Sequence, residues 1–233
     1  LSCRSDRCGK FGRKIGRWPE ESRTESQALG EYGGHRYCRR FDTLPGPDAM
    51  LLQRVVPGTP LRQVADLQQR LDAFVALYKG LHRVSSMPEQ YPRYESWVQR
   101  TAEYMRRQPG YQSLYSHMCA ANRLCRLLTA RYCHERLLHG DLHHDNILAN
   151  GDGGYTLIDP KGAIGDPLFD VPRFIRNELE PGRIHTEEHR ARLEHILQAL
   201  AGRLGNAESD LRRGLYLDVC MGECWHVEDN QQI

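Results

Sequence analysis

The stretch LLHGDLHHDNILANGDGGYTLIDPKG, residues 137–162, decides the fold of this chain. Histidines, aspartates and asparagines surround two short apolar runs in it, NILAN at 146–150 and YTLID at 155–159. The intervening GDGG, residues 151–154, favours a tight turn, because glycine and aspartate tolerate positive φ angles. The stretch therefore predicts a β-hairpin with polar side chains where its strands begin and end.

The spacing of three oxygen-bearing side chains predicts a metal site. Asp141 and Asn146 are five residues apart, and Asp159 stands at the end of the second predicted strand. A turn of the loop can point the first two side chains the same way, and the hairpin then returns Asp159 beside them. Mg²⁺ prefers such ligands and keeps waters and phosphate oxygens for the rest of its shell. An aspartate near the metal can accept a proton from an incoming hydroxyl.

This arrangement resembles the catalytic loop of protein kinases and the metal-binding aspartate that follows it. HGDLHHDN, residues 139–146, stands where those enzymes have H-R-D-x-x-x-x-N, and IDPKG, residues 158–162, stands where they have D-F-G. The H-G-D-x-x-x-x-N form of this motif resembles the one found in the aminoglycoside phosphotransferase family of small-molecule kinases. The longer string through GDPLFDV, residues 165–171, resembles its streptomycin 6-phosphotransferase and hydroxyurea kinase branch. The resemblance extends from about Lys14 over nearly the whole chain.

The resemblance implies a role for each of these residues. Asp141 would be the catalytic base that faces the substrate hydroxyl, and Asn146 and Asp159 would hold Mg²⁺ beneath the phosphates of ATP. Three more residues would support the site without reacting, His139 as a brace of the loop and the other two as loop-stabilising acceptors: His139, Asp166 and Asp170.

The family also needs a lysine and a glutamate that orient the phosphates. RKIG, residues 13–16, resembles the lysine-bearing strand and makes Lys14 the candidate. Glu25 is its candidate partner at the start of a helix, with Glu20 and Glu21 as rivals. An ordinary surface lysine and helix glutamate remain the alternative.

LLQRVVPGTPL, residues 51–61, resembles the hinge of the kinase fold. The adenine would bond to backbone groups near Gln53, Arg54 and Val55. Only thirteen residues precede Lys14, and they show neither alternating strands nor a glycine loop. The chain therefore looks truncated or altered at its start, which predicts a shortened N-lobe and leaves its activity open.

The expected fold is α+β and protein-kinase-like, with two lobes. Residues 1–56 would form a partial β-containing N-lobe whose hinge strand, 49–56, is broken by PGTPL. Residues 57–233 would form a mostly helical C-lobe that carries the catalytic loop and the metal site. Apolar residues at helical spacing predict its helices, at 61–83, 97–105, 115–132, 187–204 and 211–225.

Composition narrows the class of partner. A net charge of +2 does not favour nucleic acid, and no apolar run approaches the length of a membrane span. The eight cysteines contain no C-x-x-C pair, which argues against a structural zinc site. Four of them lie in apolar helical patterns, so a reduced, cytoplasmic protein is expected rather than a disulfide scaffold. A monomer is also expected. Aminoglycosides are polycations, and the acidic side chains near the C-terminus are candidates to bind them: Glu223, Glu228 and Asp229.

The predicted function is transfer of the γ-phosphate of ATP, with Mg²⁺, to a hydroxyl of an aminoglycoside. The favoured acceptor is the 6-position of streptomycin, and the outcome is antibiotic resistance. Three alternatives stay open: an inactive remnant of such a kinase, a kinase of another small alcohol or amine, and a metal-dependent hydrolase. The hydrolase would use the cluster of histidines and aspartates in the stretch 137–162, with His139, His143 and His144 as its histidines.

Overall fold

The computed structural model describes residues 2–5, 9–15, 19–44, 49–179 and 186–231. The chain divides into two compact units. The first unit comprises Leu1–Tyr91 and Leu137–Ala163, and the second comprises Pro92–Arg136 and Ile164–Ile233. The first unit is therefore assembled from two separate parts of the sequence.

The strands are short, and most lie in the first unit. They are β1 (Ser2–Ser5), β2 (Gly9–Ile15), β3 (Arg40–Leu44), β4 (Ala49–Gln53), β5 (Pro57–Pro60), β6 (Arg136–Leu138), β7 (Ile147–Asn150), β8 (Tyr155–Leu157) and β9 (Ala163–Gly165). An antiparallel sheet has the order β1-β2-β4-β3, and a second has the order β5-β7-β8. Lys14 in β2 lies opposite Met50 in β4, which is buried. This pairing fixes the backbone that carries Lys14.

The helices follow the apolar periodicity of the sequence. They are α1 (Pro19–Tyr32), α2 (Leu67–Tyr78), α3 (Tyr94–Arg106), α4 (Gln112–Arg131), α5 (Val171–Glu178), α6 (Glu187–Leu204) and α7 (Glu208–Gln231). The predicted bounds of α6 are confirmed. The helix predicted at 61–83 begins six residues later, at Leu67. The Asp66 side chain caps this start by accepting a hydrogen bond from the Gln69 N–H. None of the helices in the described part of the chain could cross a bilayer.

The predicted hairpin is confirmed by β7 and β8. Ile147 lies opposite Leu157, and both side chains are completely buried. In the turn, the Asn150 Oδ1 accepts hydrogen bonds from the backbone N–H groups of Asp152 and Gly154, at 3.1 and 3.0 Å. The hairpin thus joins the loop before β7 to the residues after β8 through a rigid, buried pair of strands.

The prediction that PGTPL merely breaks a strand is wrong, because Pro57–Pro60 forms β5 and pairs with β7. β5 lies at the edge of its sheet. Proline is tolerated on edge strands, since its missing N–H removes no bond from a central ladder.

The prediction that no strand precedes Lys14 is also wrong. Residues 2–5 and 9–15 form an antiparallel pair, with Cys3 opposite Phe11. Their sequences lack alternation of apolar and polar residues, so pairing with a neighbouring strand decides the structure there.

The predicted lobe boundary after Val56 does not coincide with the compact units, and it stays a prediction. Backbone hydrogen bonds tie the hairpin to earlier residues, from the Cys38 N–H to the Leu157 carbonyl at 2.9 Å and from the Leu157 N–H to the Arg36 carbonyl at 2.8 Å. These bonds explain why the catalytic-loop region belongs to the first unit.

Candidate active site

The loop between β6 and β7 presents Asp141. Gly140 has a φ of +79°, a left-handed conformation that glycine adopts without steric cost, and it turns the chain before the aspartate. The Asp141 carbonyl accepts hydrogen bonds from the His143 N–H and from the Asn146 Nδ2, both at 3.0 Å. The candidate base and one candidate metal ligand are therefore held in a single loop by a direct hydrogen bond.

His139 is completely buried behind this loop. Its Nδ1 accepts a hydrogen bond from the Asp141 N–H at 3.2 Å, and its Nε2 donates to the Ile158 carbonyl at 2.9 Å. The His139 carbonyl accepts from the Lys161 N–H at 2.7 Å. Both ring nitrogens thus serve the backbone, which suits a brace between the loop and the residues around Asp159.

Asp159 follows β8 and has a φ of +56°, a left-handed conformation that aspartate tolerates better than most residues. The neighbouring Ile158 N–H donates to the Asn146 carbonyl at 3.0 Å. Asn146 and Asp159 therefore stand on adjacent backbone segments, as the hairpin predicts.

The donors at these two positions fit Mg²⁺. The Asn146 Nδ2 is used by the Asp141 carbonyl, which leaves the amide oxygen as the possible ligand. The Asp159 carboxylate is 42% exposed. One carboxylate and one amide oxygen match an ion that takes few protein ligands and completes its shell with phosphates and waters.

A metal site of another kind, built from three or more His, Cys, Asp or Glu side chains, is not found among the described residues.

Lys14 connects the sheet to the helix and to the metal strand. Its Nζ lies 2.8 and 2.9 Å from the two carboxylate oxygens of Glu25 and 3.0 Å from the Asp159 Oδ1. The structure thus brings Lys14 together with Glu25 on α1, and not with the rivals Glu20 or Glu21. One ammonium group is shared between two carboxylates.

This sharing explains the direction of both pKa shifts. Burial alone would lower the pKa of Lys14, but the charges of Glu25 and Asp159 outweigh it, so the pKa lies above its ordinary value. Burial raises the pKa of the Glu25 carboxyl, and Lys14 offsets this only in part, because Asp159 draws on the same ammonium and repels Glu25. The single positive charge of Lys14 therefore compensates the two carboxylates of Glu25 and Asp159 only in part.

A pH dependence of stability follows from Glu25. Its pKa is higher in the folded state than the ordinary 4.5, so the folded protein binds the proton more tightly than the unfolded chain. The stability that wild type has relative to Glu25→Gln is expected to be largest below 4.5 and to fall as pH rises through the folded-state pKa. Urea unfolding of both proteins from about pH 4 to about pH 8 measures the difference.

Glu31→Gln is the control, because the pKa of Glu31 is shifted in the opposite direction to that of Glu25. Burial raises the pKa of Glu31, but hydrogen bonds from Ser86 and Ser85 outweigh it and lower the pKa below its ordinary value. The advantage of wild type over this variant is expected to be lost as pH falls. A Glu25 advantage that grows with pH would mean that the Lys14 charge, and not burial, dominates at Glu25.

The candidate hinge residues end β4 in an ordered backbone. The Gln53 N–H donates to the Arg39 carbonyl at 2.7 Å, and its Oε1 accepts from the Arg39 N–H at 3.1 Å. Arg54 is exposed and Val55 is half-buried. Their contact with an adenine stays a prediction.

The remaining candidates lie in the second unit. The Asp166 carboxylate accepts from the Leu168 N–H at 2.9 Å and from the N–H and Nδ1 of His134 at 3.2 and 2.9 Å, as expected of a loop-stabilising acceptor. Asp170 is buried at the start of α5. The predicted substrate residues lie on α7, where two are exposed and the middle one is half-buried: Glu223, Glu228 and Asp229. Their role stays a prediction.

Two ion pairs at the site were missed by the sequence reasoning. The Arg62 guanidinium binds both carboxylate oxygens of Asp145 in the catalytic loop. Lys161, which follows Asp159 closely, binds Glu21 on α1. Local spacing gives no signal for either, because their members are 83 and 140 residues apart.

Two curated proteins illustrate what the chain is similar to. The streptomycin 3″-kinase of Klebsiella pneumoniae is 27% identical over 227 residues, which cover 93% of this chain and 79% of that protein. The streptomycin 6-kinase of Streptomyces griseus is 27% identical over 178 residues, which cover 65% of this chain and only half of that protein.

A solved structure has the same fold. The aminoglycoside phosphotransferase APH(3'')-Id of Streptomyces rimosus, in complex with ADP and streptomycin, aligns with a TM-score of 0.64 and 16% identity. The alignment covers 91% of this chain and 86% of the other. The predicted protein-kinase-like α+β fold is confirmed.

A family model matches residues 10–230, nearly the whole chain. It describes the aminoglycoside/hydroxyurea antibiotic resistance kinases. Its extent covers every candidate residue from Lys14 to Asp159, and it includes the second unit up to α7. The chain belongs to the aminoglycoside/hydroxyurea antibiotic resistance kinase family.

Proposed function

We propose that this protein transfers the γ-phosphoryl group of ATP to the 6-hydroxyl of streptomycin and thereby gives resistance to the drug. The observation that carries the proposal is the meeting of Lys14, Glu25 and Asp159 on a backbone that is hydrogen-bonded to the Asp141 loop. Relatives named streptomycin 6-kinase support the acceptor position. The relative that matches over more of this chain is a 3″-kinase, so the 3″-hydroxyl is the second candidate.

In the proposed mechanism, Asp141 accepts the proton of the acceptor hydroxyl as its oxygen attacks the γ-phosphorus. A new O–P bond forms, the bond to the bridging oxygen breaks, and ADP leaves. Lys14, held by Glu25, contacts the phosphates. Mg²⁺ bound by Asn146 and Asp159 would neutralise charge on the phosphates. The protein's part is positioning and electrostatics, which dominate phosphoryl transfer.

Recognition of the two substrates completes the proposal. Backbone groups at Gln53, Arg54 and Val55 bond to the adenine. The acidic residues Glu223, Glu228 and Asp229 receive the drug's guanidinium groups through charge-assisted hydrogen bonds. The protein acts as a cytoplasmic monomer.

The test is ADP release from Mg·ATP by the purified chain, with streptomycin as the acceptor. We expect drug-dependent release, and a ³¹P–¹H correlation in the product that places the phosphate on the 6-oxygen. A correlation at the 3″-position would replace the first candidate by the second.

Other outcomes would overturn the proposal. Release with hydroxyurea or another small alcohol, but not with the drug, would identify a kinase with a different acceptor. A folded sample that neither binds Mg·ATP nor releases ADP with any acceptor would be the inactive remnant.

A further inference from the structure

A pair of charged side chains holds the second half of the catalytic loop. Arg62 lies in the single 3₁₀ turn Leu61–Gln63 that follows β5, and it binds Asp145 through its Nε and Nη2. A guanidinium that binds both oxygens of a carboxylate fixes its orientation as well as its position. The Arg62 side chain is 63% exposed, and exposed pairs add little to stability. Orientation is therefore the main effect of this pair.

Asp145 in turn fixes the ring of His143. The Asp145 N–H donates to the His143 Nδ1 at 3.3 Å, and this backbone bond holds the ring. The Asp145 Oδ2, 3.7 Å from the same nitrogen, makes no hydrogen bond with it. In the neutral ring, the nitrogen that accepts this bond carries no proton, so the proton lies on Nε2.

The protonated nitrogen faces the candidate base. The His143 Nε2 lies 3.6 Å from the Asp141 Oδ2, and both side chains are 22% exposed. This separation is longer than a hydrogen bond. Contacts of this kind are often long without substrate and shorten in the reacting complex.

We propose that His143 is a positioning residue, which orients the Asp141 carboxylate and is itself held by Asp145 and Arg62. The chain of contacts runs from the 3₁₀ turn after β5 to the candidate base. The kinetic part of the inference rests on the proposed function, because it is measured as turnover. The structural part concerns only the ring and its neighbours.

The kinetic test compares His143→Ala, His143→Gln and Arg62→Ala. His143→Ala is expected to lower kcat about 10- to 100-fold with little change in the KM for ATP, because small displacements of a reacting group have effects of this size. His143→Gln, whose Nε2 can donate at the same place, is expected to recover most of the loss. Arg62→Ala is expected to fall between wild type and His143→Ala.

Matched controls separate positioning from folding. His35 is exposed and Arg93 binds Glu135 in an exposed pair, so His35→Ala and Arg93→Ala are expected to keep wild-type kcat. Equal losses in His143→Ala and His143→Gln, or a loss matched by a lower melting temperature, would overturn the positioning role.

A second measurement needs no turnover. Long-range ¹H–¹⁵N spectra at a pH where the ring is neutral are expected to show the Nε2–H form of His143, with an Nε2 shift that changes in Asp141→Asn and not in Asp152→Asn. An Nδ1–H ring, or an Nε2 shift that ignores Asp141→Asn, would overturn the inference even in an active enzyme. Absence of turnover in wild type with these spectra as expected would reject the proposed function alone.

Discussion

Asp141→Asn is expected to lower kcat for phosphorylation of streptomycin by about 10²- to 10⁴-fold, the usual contribution of a positioned proton acceptor. The amide keeps the size of the carboxylate but cannot take the proton of the hydroxyl. The backbone carbonyl and N–H of residue 141, which bind Asn146 and His139, are unchanged by the substitution. The loop should keep its shape, and the affinity for Mg·ATP should stay near that of wild type.

Steady-state kinetics and a nucleotide-binding titration on the same sample measure these two quantities. Asp152→Asn is the matched control, because Asp152 is an exposed aspartate in the turn between β7 and β8. It is expected to leave kcat unchanged. Full activity in Asp141→Asn would remove this residue from the role of base, and a parallel loss of nucleotide binding would indicate damage to the metal site.

Gly162→Ala is expected to lower the free energy of unfolding by about 2–5 kcal/mol. Gly162 has a φ of +72°, where an L side chain costs about 1–2 kcal/mol. A Cβ there would lie 3.0 Å from the backbone carbonyl oxygen of Thr24 and 3.1 Å from the Tyr91 ring. Crowding of this kind costs about 1–3 kcal/mol. The carbonyl belongs to α1 and cannot rotate away as a side chain could.

The same substitution is expected to weaken nucleotide binding. Displacement of α1 at Thr24 also moves its neighbour Glu25, the partner of Lys14. Gly153→Ala isolates the backbone contribution, because Gly153 has a φ of +75° and nothing within 4 Å of the added Cβ. Chemical unfolding of both variants is the measurement. An equal loss of stability in the two variants would contradict the prediction, because it would show that α1 shifts to accept the added Cβ at little cost.

The loop around Asp141 could be predicted because its signals are local. The spacing from Asp141 to Asn146, and the glycine-rich turn between β7 and β8, are features of one short stretch of sequence. The bounds of the helix α6 were predicted to the residue because its apolar stripe is also local. The Thr186 cap seen in the structure is a local feature as well. The partner of Lys14 lies only eleven residues away, on the helix that follows the same strand.

The contacts that could not be predicted from the sequence are those between separate segments. The residues of β1 show no strand pattern of their own, because the strand depends on its pairing with β2. The sequence of Pro57–Pro60 predicts a strand break, because its pairing with β7 depends on residues that are distant in the sequence. Arg62 resembles any surface arginine in the sequence, and only the folded chain places it against Asp145. Such positions are set by tertiary contacts, which local patterns do not encode.

The division of the first unit into two stretches of sequence has a consequence for folding during synthesis. Chains tend to fold from the N-terminus onward, but Leu1–Tyr91 leaves the ribosome well before Leu137–Ala163, with which it must pack. Lys14 cannot pair with Asp159 until all the residues between them have been made. Closing so long a loop is entropically costly and slow. The ion pair between Lys14 and Asp159 is therefore expected to form late in folding, after β2 and α1 have formed.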